Sequence, residues 1–223
     1  MEFDRQRRQM IADIEAGVAF TRNLIGKDRL DQRVMTAMRQ VPRENFVPPD
    51  LRYAAFRDGA LPVGHGQTIS QPYIVALMTD MLQLTEDSSV LEIGTGTGYQ
   101  AAILSCLASQ VYSIERIQAL AEAARQRLLD MGYDNIEIRC GNGYQGWTEK
   151  APFDAIVVTA AAPFVPPALL EQLKPGGRMV IPIGLPARHQ ELMLVTRDKL
   201  GETHTSSLLA VAFVPMVDEP QRD

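Results

Sequence analysis

The chain has 223 residues, of which 46% are hydrophobic and 22% are charged, as is ordinary for a globular protein. This length fits one α/β domain with some additions better than two domains of typical size. The formal net charge of −5 argues against general nucleic-acid binding, which normally leaves a basic surface, so we expect no nucleic-acid partner.

The sequence also limits the compartment and the cofactor. The N-terminus has no apolar segment of the secretory type, and no run is long and apolar enough to span a bilayer, which predicts a cytoplasmic protein without a membrane partner. Cys106 and Cys140 each stand in an apolar segment, which predicts two buried reduced thiols. Neither belongs to a zinc-binding spacing, so no metal site is expected. The sequence indicates no obligate protein partner.

Two helices are expected before the first strand. Apolar residues recur at helical spacing among charges and predict an amphipathic helix over residues 5–17, ended by Gly17. A second helix is predicted over residues 31–41, with Pro42 as its stop. The proline-rich residues 45–51 are expected to form a loop. Together these elements form an N-terminal helical cap beside the main sheet.

A glycine-containing loop is expected next. Residues 58–71 have too little periodicity for a helix or a regular strand and predict a functional loop. Pro72 then opens an apolar helical stretch through Leu82, because proline is tolerated in the first turn of a helix. Ser70 is expected to cap that helix, to be a site residue, or to do both. His65 is expected to be a hydrogen-bonding residue of the loop rather than a proton carrier.

The segment from Val90 to Tyr99 predicts a buried strand that runs into a turn of the form Gly-x-Gly-x-Gly. Such glycines let a ligand lie against the main chain, and the following helix points its free N–H groups at the same place. A dinucleotide site would have its third glycine at position 99, but here it is Gly98. Glu92 is expected either to brace the turn through backbone N–H groups or to approach a cofactor amino group through water. Glu115, at the end of the next strand, is placed to accept ribose hydroxyls.

Beyond this turn, strands and helices alternate. Strands are predicted at residues 111–114, 136–140, 153–158 and 178–183, helices at 99–107, 118–131 and 166–173, a turn at 174–177, and two strands without a helix between them at 191–197 and 206–214. This alternation predicts a doubly wound, mostly parallel sheet of about seven strands with an antiparallel C-terminal hairpin.

Several motifs together resemble the protein-L-isoaspartate O-methyltransferase family, and the resemblance covers nearly the whole chain. The residues that carry it are Val41 to Pro48, Leu61 to Pro72, Val90 to Tyr99, Pro152 to Ala162 and Leu173 to Gly184. The segment from Gly66 to Ser70 is more specific than the glycine turn, which other methyltransferases share. The expected architecture is one Rossmann-like methyltransferase domain, with the cap and active-site loop in residues 1–82, the cofactor-binding core in 83–217 and a tail in 218–223.

The resemblance implies transfer of a methyl group from S-adenosyl-L-methionine to the free α-carboxylate of an L-isoaspartyl residue in a damaged protein or peptide. The methyl ester then collapses to a succinimide, which hydrolyses partly to normal aspartate. The resemblance makes Ser70 the active-site residue, within a substrate loop that contains His65, Gln67, Thr68 and Ile69. The expected cofactor site comprises Glu92, Gly94, Thr95, Gly96, Gly98, Glu115, Asn142, Gly143 and Thr159.

The chain departs from the family pattern at three positions. Many members have aspartate where this chain has Asn142, which removes a charge but keeps a short side chain able to form hydrogen bonds. Some members carry histidines after the serine, where this chain has Tyr73 and Val75. Contacts made by those histidines cannot be carried over.

The chemistry that the resemblance implies needs no general base. The free α-carboxylate has a pKa near or below about 4, so it is already ionised at neutral pH. Its negative charge and the positive charge of the sulfonium cancel as the methyl group moves, which favours a dry and well-aligned site. Ser70 is therefore expected to orient the carboxylate through a hydrogen bond, or to gate the loop, and not to act as a nucleophile.

Three other functions stay open at this point. One is another carboxyl or small-molecule O-methyltransferase with the same cofactor. A second is an oxidoreductase with a nicotinamide site, against which the position of Gly98 and the terminal hairpin count. A third is a non-catalytic protein that binds S-adenosylmethionine. Methylation of DNA or RNA is disfavoured by the acidic balance and by the lack of an Asn/Asp-Pro-Pro-Tyr box.

Overall fold

The structure is a computed structural model that describes residues 3–185 and 188–218. Its helices are α1 Asp4–Ile25, α2 Gln32–Gln40, α3 Pro72–Met81, α4 Tyr99–Ser105, α5 Gln118–Asp130 and α6 Pro167–Gln172. Its strands are β1 Leu61–Gly64, β2 Gln67–Ile69, β3 Ser89–Ile93, β4 Gln110–Glu115, β5 Ile136–Cys140, β6 Phe153–Val158, β7 Leu173–Gly184, β8 Gln190–Arg197 and β9 Thr203–Val211. Short 3-10 helices cover Arg43–Asn45, Pro49–Ala54, Gly143–Gln145 and Thr148–Lys150. Within the described ranges, no helix has the length and apolar character needed to cross a membrane.

Seven strands form one sheet in the order β5-β4-β3-β6-β7-β8-β9. Neighbours from β5 to β7 are parallel, whereas β8 is antiparallel to both β7 and β9. The predicted doubly wound sheet with an antiparallel C-terminal hairpin is therefore confirmed. The chain runs outwards from β3 to β5 and then returns to β6 on the other side of β3. Ligands of such sheets bind at this switch point, outside the carboxyl ends of the strands.

The central strands are buried on both faces, which explains why their sequences are almost continuously apolar. In β3 every residue from Val90 to Ile93 is buried, and in β6 every residue is buried except Asp154. The Asp154 carboxylate accepts a hydrogen bond from the Ser89 backbone N–H at 2.8 Å and pairs with Lys174. It thus aligns the starts of two neighbouring strands.

The sequence predicted that the first helix ends at Gly17. Helix α1 instead continues to Ile25, where Gly26 with φ 66° closes it. Alanine is intrinsically better in a helix than glycine by about 1 kcal/mol. A Cβ at residue 17, however, would lie 2.9 Å from the ring of Tyr73 on α3. Gly17 therefore marks a close approach of α1 to α3, and the Tyr73 hydroxyl also forms a hydrogen bond with Thr21.

Three loop and turn predictions also need correction. Residues 58–71 contain the β1–β2 hairpin, which forms its own two-stranded sheet. Residues 45–51 lie largely in short 3-10 helices. Residues 174–177 bulge out of β7, because Phe153 pairs with Leu173 whereas Ala155 pairs with Arg178.

The prediction of buried thiols is wrong, since Cys106 and Cys140 are free but exposed. Cys106 lies at the end of α4, and Cys140 at the last position of β5. Both are at element ends, where the apolar neighbours turn inward and the thiol does not. Of the predicted tail, residues 219–223 lie outside the described residues, and Asp218 is exposed.

Candidate active site

The glycine turn after β3 is held against the end of β6. Gly94 has φ 95°, and its N–H donates to the carbonyl oxygen of Ile114 at 2.8 Å. The Thr159 hydroxyl donates to the carbonyl oxygen of Gly94 at 2.7 Å. A Cβ at Gly94 would collide with this hydroxyl. Gly98, with φ 88°, precedes α4, and a Cβ there would lie 3.0 Å from the Leu128 side chain.

Glu115 connects the turn to a small cleft. One carboxylate oxygen accepts the N–H of Gly96 at 2.7 Å and the other accepts the N–H of Ile117 at 2.9 Å. Gly96 has φ 54°, and a Cβ there would point into open space. The cleft has a volume of about 80 Å³ and is lined by these three residues together with Gly94, Gly143 and Thr159, among others. A carboxylate with free lone pairs therefore faces the space beside an open glycine backbone.

Glu92 lies beneath the turn and is completely buried. The Ser113 hydroxyl donates to one of its carboxylate oxygens, and the hydroxyls of Ser113 and Thr95 are 2.5 Å apart. The other oxygen is buried without a hydrogen-bond partner among the described residues. Burial raises the pKa of Glu92 to about 8. Its link to the turn thus runs through two hydroxyls rather than through backbone N–H groups.

A larger groove of about 900 Å³ adjoins the cleft. One wall comes from α1, with Gly17 and Phe20, and the opposite wall comes from the edge strand β9 and the residues after it, Leu209–Val214. Ser70 lines the groove, and Thr68 and Thr159 line both cavities. Val214 also lines both, so the groove and the cleft meet at these three residues.

Ser70 does not cap α3, so this alternative from the sequence is wrong. The N-cap residue is Gln71, and no side chain forms a capping hydrogen bond. The Ser70 carbonyl oxygen accepts a hydrogen bond from Arg43, and its hydroxyl has no hydrogen-bond partner among the described residues. The hydroxyl is therefore available to a ligand in the groove.

The other substrate-loop residues have different surroundings. His65 forms the exposed tip of the β1–β2 hairpin with φ 51°, and it lines neither cavity. Its carbonyl oxygen accepts from the Gln67 side chain at 3.3 Å, and Gln67 lines the small cleft. Ile69 is buried in the core. The structure thus brings Gln67, Thr68 and Ser70 to the cavities and places His65 away from them.

Of the two residues in the Asn142-Gly143 turn, only Gly143 lines the cleft. A Cβ at Gly143 would collide with Ile93. The Asn142 side chain accepts from the N–H of Tyr144 at 2.9 Å and donates to Asp218. Both ends of its amide are therefore already used by the protein.

Tyr73 and Val75, the two residues after Ser70 at which the chain departs from the family pattern, pack against the rest of the protein. Tyr73 lines the groove and bonds Thr21, while Val75 is buried in the core.

No residue pattern predicts the segment that lies over the cleft, Val214–Val217, all of whose residues line it. The N–H of Ala161 donates to the carbonyl oxygen of Val214, and the N–H of Met216 donates to that of Ala161, both at 2.8 Å. The Tyr144 hydroxyl donates to the carbonyl oxygen of Met216 at 3.2 Å. These hydrogen bonds join residues far apart in the sequence and use mainly main-chain atoms. A pattern of residue types therefore does not predict them. Arg43 was also missed as a partner of Ser70.

Among the described residues, no group of three or more His, Cys, Asp or Glu side chains is arranged to hold a metal ion. The potential ligands of this region are instead oxygen and N–H groups suited to a polar organic cofactor.

The family model described as protein-L-isoaspartate(D-aspartate) O-methyltransferase matches residues 19–221. A protein from Syntrophobacter fumaroxidans named protein-L-isoaspartate O-methyltransferase 2 is 57% identical over 210 residues, which are 94% of this chain and 85% of that protein.

Two solved structures with names of the same kind are also similar to this chain. One named protein-L-isoaspartate O-methyltransferase aligns with TM-score 0.79 and 29% identity, and the match covers 94% of this chain and 65% of the other. The crystal structure of a PCMT from Plasmodium falciparum in complex with S-adenosyl-L-homocysteine aligns with TM-score 0.74 and 25% identity, over 93% of this chain and 98% of the other.

Proposed function

Because this chain belongs to the protein-L-isoaspartate(D-aspartate) O-methyltransferase family, we propose that it methylates the free α-carboxylate of L-isoaspartyl residues in damaged proteins and peptides, with S-adenosyl-L-methionine as methyl donor. The observation that carries this proposal is the junction of two cavities at Thr68, Thr159 and Val214, with Ser70 lining the larger one. One cavity suits the donor and the other suits a peptide acceptor.

The small cleft offers groups that suit the adenosine end of the donor. Glu115 presents a carboxylate that can accept ribose hydroxyls, and Gly96 offers a backbone without a Cβ. Gly94, Gly143 and Thr159 complete the wall. Bound S-adenosyl-L-methionine supplies an electrophilic methyl group on a sulfonium. We propose that the turn from Gly94 to Gly98 holds it, that Thr95 and Glu92 support the turn from below, and that Asn142 shapes the wall rather than contacting the ligand.

The groove fits an extended peptide whose carboxylate reaches Ser70. The Ser70 hydroxyl donates a hydrogen bond to that carboxylate and orients one of its oxygens toward the cleft. The acceptor is ionised already, with a pKa of about 3.3–3.9, so no residue has to remove a proton. His65, the histidine of this loop, lies at an exposed hairpin tip and serves no such role. Water exclusion and alignment are the remaining contributions of the protein.

The groove carries a negative charge. Asp13 and Asp58 line it, and none of the described residues that line it is Lys, Arg or His. Carboxylates on a flanking part of the peptide would be repelled, and Lys or Arg would be attracted. We therefore propose a preference for isoaspartyl sites with basic or neutral neighbours.

We propose a single methyltransferase domain that acts in the cytoplasm on isoaspartyl proteins and peptides. Two free cysteines suit the reducing environment of that compartment. The groove is formed by α1, α3, the β1–β2 hairpin and β9 with the residues after it, and the cofactor cleft lies at the ends of the central strands.

The test uses labelled S-adenosyl-L-methionine and two peptides that differ only in one isoaspartyl or one normal aspartyl linkage. We expect label only in the isoaspartyl peptide, in an ester that base releases. Labelling of both peptides, or of small carboxylic acids alone, would favour a general carboxyl methyltransferase. Binding of the donor without any transfer would favour a non-catalytic protein.

A further inference from the structure

Arg43 is fully buried, and it lines neither of the two cavities. Its Nε donates to the carbonyl oxygen of Ala55 and its Nη2 to the carbonyl oxygen of Ser70, both at 2.7 Å. The third nitrogen, Nη1, is buried without a hydrogen-bond partner among the described residues. One rigid planar group thus fixes the main chain of the residue that we place in the active site.

The same guanidinium reaches the cofactor side of the molecule. Its Cζ lies 4.7 Å from the ring centroid of Tyr99, which is cation–π range. Tyr99 is the first residue of α4 and directly follows Gly98 of the glycine turn. Its ring also packs edge-on against Phe46, with 5.4 Å between the centroids. Arg43 therefore contacts both the Ser70 loop and the helix that begins at the turn.

Packing alone does not require a charge here. A buried ion carries a desolvation penalty of several kcal/mol, and apolar side chains of similar volume often stabilise a core equally well. Arg7, by comparison, pairs with Glu44 at 2.7 Å. No such carboxylate pairs with Arg43 in the described part of the chain, and desolvation lowers the pKa of its guanidinium. The forked donor geometry is what an apolar residue could not supply.

We propose that Arg43 is a positioning residue for methyl transfer: through its bond to the Ser70 carbonyl and its contact with Tyr99, it sets the Ser70 hydroxyl relative to the cofactor turn. This inference rests on the proposed function. A lysine would keep the charge but lose the planar fork, so it could not bond both carbonyls and cover the ring at once. A displacement of about 1 Å in such a site can cost roughly 100-fold in rate.

The experiment is a double-mutant cycle of Arg43→Lys and Ser70→Ala in the full chain, with kcat, KM and S-adenosyl-L-methionine affinity measured for each protein. We expect Arg43→Lys to lower kcat by roughly 10- to 100-fold with nearly unchanged donor affinity. In the Ser70→Ala background it should lower kcat by less than about 3-fold, because there is no hydroxyl left to position. Arg125→Lys is the control, since Arg125 donates to the Ile138 carbonyl at 2.8 Å away from the site.

Hydrogen exchange supplies a readout that does not depend on catalysis. The amides of residues 67–71 should exchange faster in Arg43→Lys than in the wild type, and should be unchanged in Arg125→Lys. If the wild type does not methylate the isoaspartyl peptide, the proposed function fails while exchange still tests the hold of Arg43 on this segment.

Two results would overturn the inference. The first is an equal loss of kcat with and without the Ser70 hydroxyl, which would make Arg43 a general structural residue. The second is wild-type kcat and exchange in Arg43→Lys. Arg43→Gln, which keeps a donor without the charge, is measured in parallel so that a folding failure of one variant still leaves a decisive comparison.

Discussion

The hydroxyl of Thr159 donates to the carbonyl oxygen of Gly94 at 2.7 Å and fills the space that a Cβ at Gly94 would need. The end of β6 therefore clamps the turn at the end of β3, and the clamp works only because residue 94 has no side chain. Both partners border the cleft, so this contact sets the relation between its two walls.

We predict that Thr159→Val weakens binding of S-adenosyl-L-methionine, whereas Thr159→Ser keeps it. Valine removes the hydroxyl bonds to Gly94 and Ile93 without changing the volume much, at a cost of about 1 kcal/mol or more when a buried acceptor loses its partner. A loss of roughly 5-fold or more in affinity should follow, as measured by calorimetric titration. Equal affinity in both variants would contradict the clamp.

Ser70→Ala should reduce turnover without reducing stability. A hydrogen bond to a charged group contributes about 1.5–3 kcal/mol, so kcat for the isoaspartyl peptide should fall roughly 10- to 100-fold. The melting temperature should not change, because the side chain caps no helix. Thr36→Ala is the matched control, since its hydroxyl donates to the Gln32 carbonyl on α2. Unchanged turnover in Ser70→Ala would remove the catalytic role.

Glu92 predicts a pH dependence of stability. Burial raises its pKa from the ordinary 4.5 to about 8, so between pH 4.5 and 8 the unfolded carboxyl is ionised while the folded one keeps its proton. Stability from this group is full below pH 4.5 and is lost as the pH rises through 8. Urea unfolding between pH 5 and 8 should therefore show a fall in the wild type that Glu92→Gln lacks.

The exposed Glu86 provides the control for that experiment. Glu86→Gln should retain the wild-type slope of unfolding free energy against pH. Parallel slopes in the wild type and in Glu92→Gln would show that the buried carboxyl does not hold its proton in the folded protein.

The 80 Å³ cleft is well below the roughly 300–1,000 Å³ of typical small-molecule sites, so we expect Val214–Val217, which lie over it, to shift when the donor binds. Tyr144→Phe removes the bond to the Met216 carbonyl and should accelerate release of S-adenosyl-L-homocysteine by roughly 5-fold, the equivalent of about 1 kcal/mol. Stopped-flow displacement measures the rate. Tyr53→Phe, an exposed tyrosine elsewhere, should leave it unchanged, and the same rate in both variants would argue against a hold by Tyr144.

Asp13 should affect the choice of peptide. A peptide with lysine beside the isoaspartyl residue should have a higher kcat/KM than the same peptide with glutamate there. The ratio of these two kcat/KM values should be smaller in Asp13→Asn and at high salt. Asp134→Asn, at an exposed site outside the groove, should keep the wild-type ratio. A ratio that does not respond to salt would place the preference in shape rather than charge.

The strands of the core were predictable because burial on both faces leaves a nearly unbroken apolar run, as in β3 and β6. Gly94, which directly follows β3, and Glu115, the last residue of β4, were predictable from their positions at the ends of such strands. The end of α1 was not, because the contact of Gly17 with Tyr73 is tertiary and overrides helix propensity.

Other parts of the site were hidden for related reasons. The bonds of Val214–Val217 run through main-chain atoms, which look alike in every sequence. The burial of Arg43 depends on partners far along the chain, and arginine is a residue type that is mostly exposed, so no local pattern predicts it. Local residue patterns therefore predict the helices and strands. How these elements pack around the two cavities depends on contacts between residues far apart in the sequence.

Gly17 has a consequence for how substrate size could change. It lies in the groove wall, and its missing methyl group lets α1 rest directly on the Tyr73 ring. A larger residue there would collide with the Tyr73 ring, so we expect either the ring or α1, which also places Phe20 in the groove wall, to move. We therefore expect one substitution at residue 17 to change the width of the groove without altering any residue that lines the small cleft.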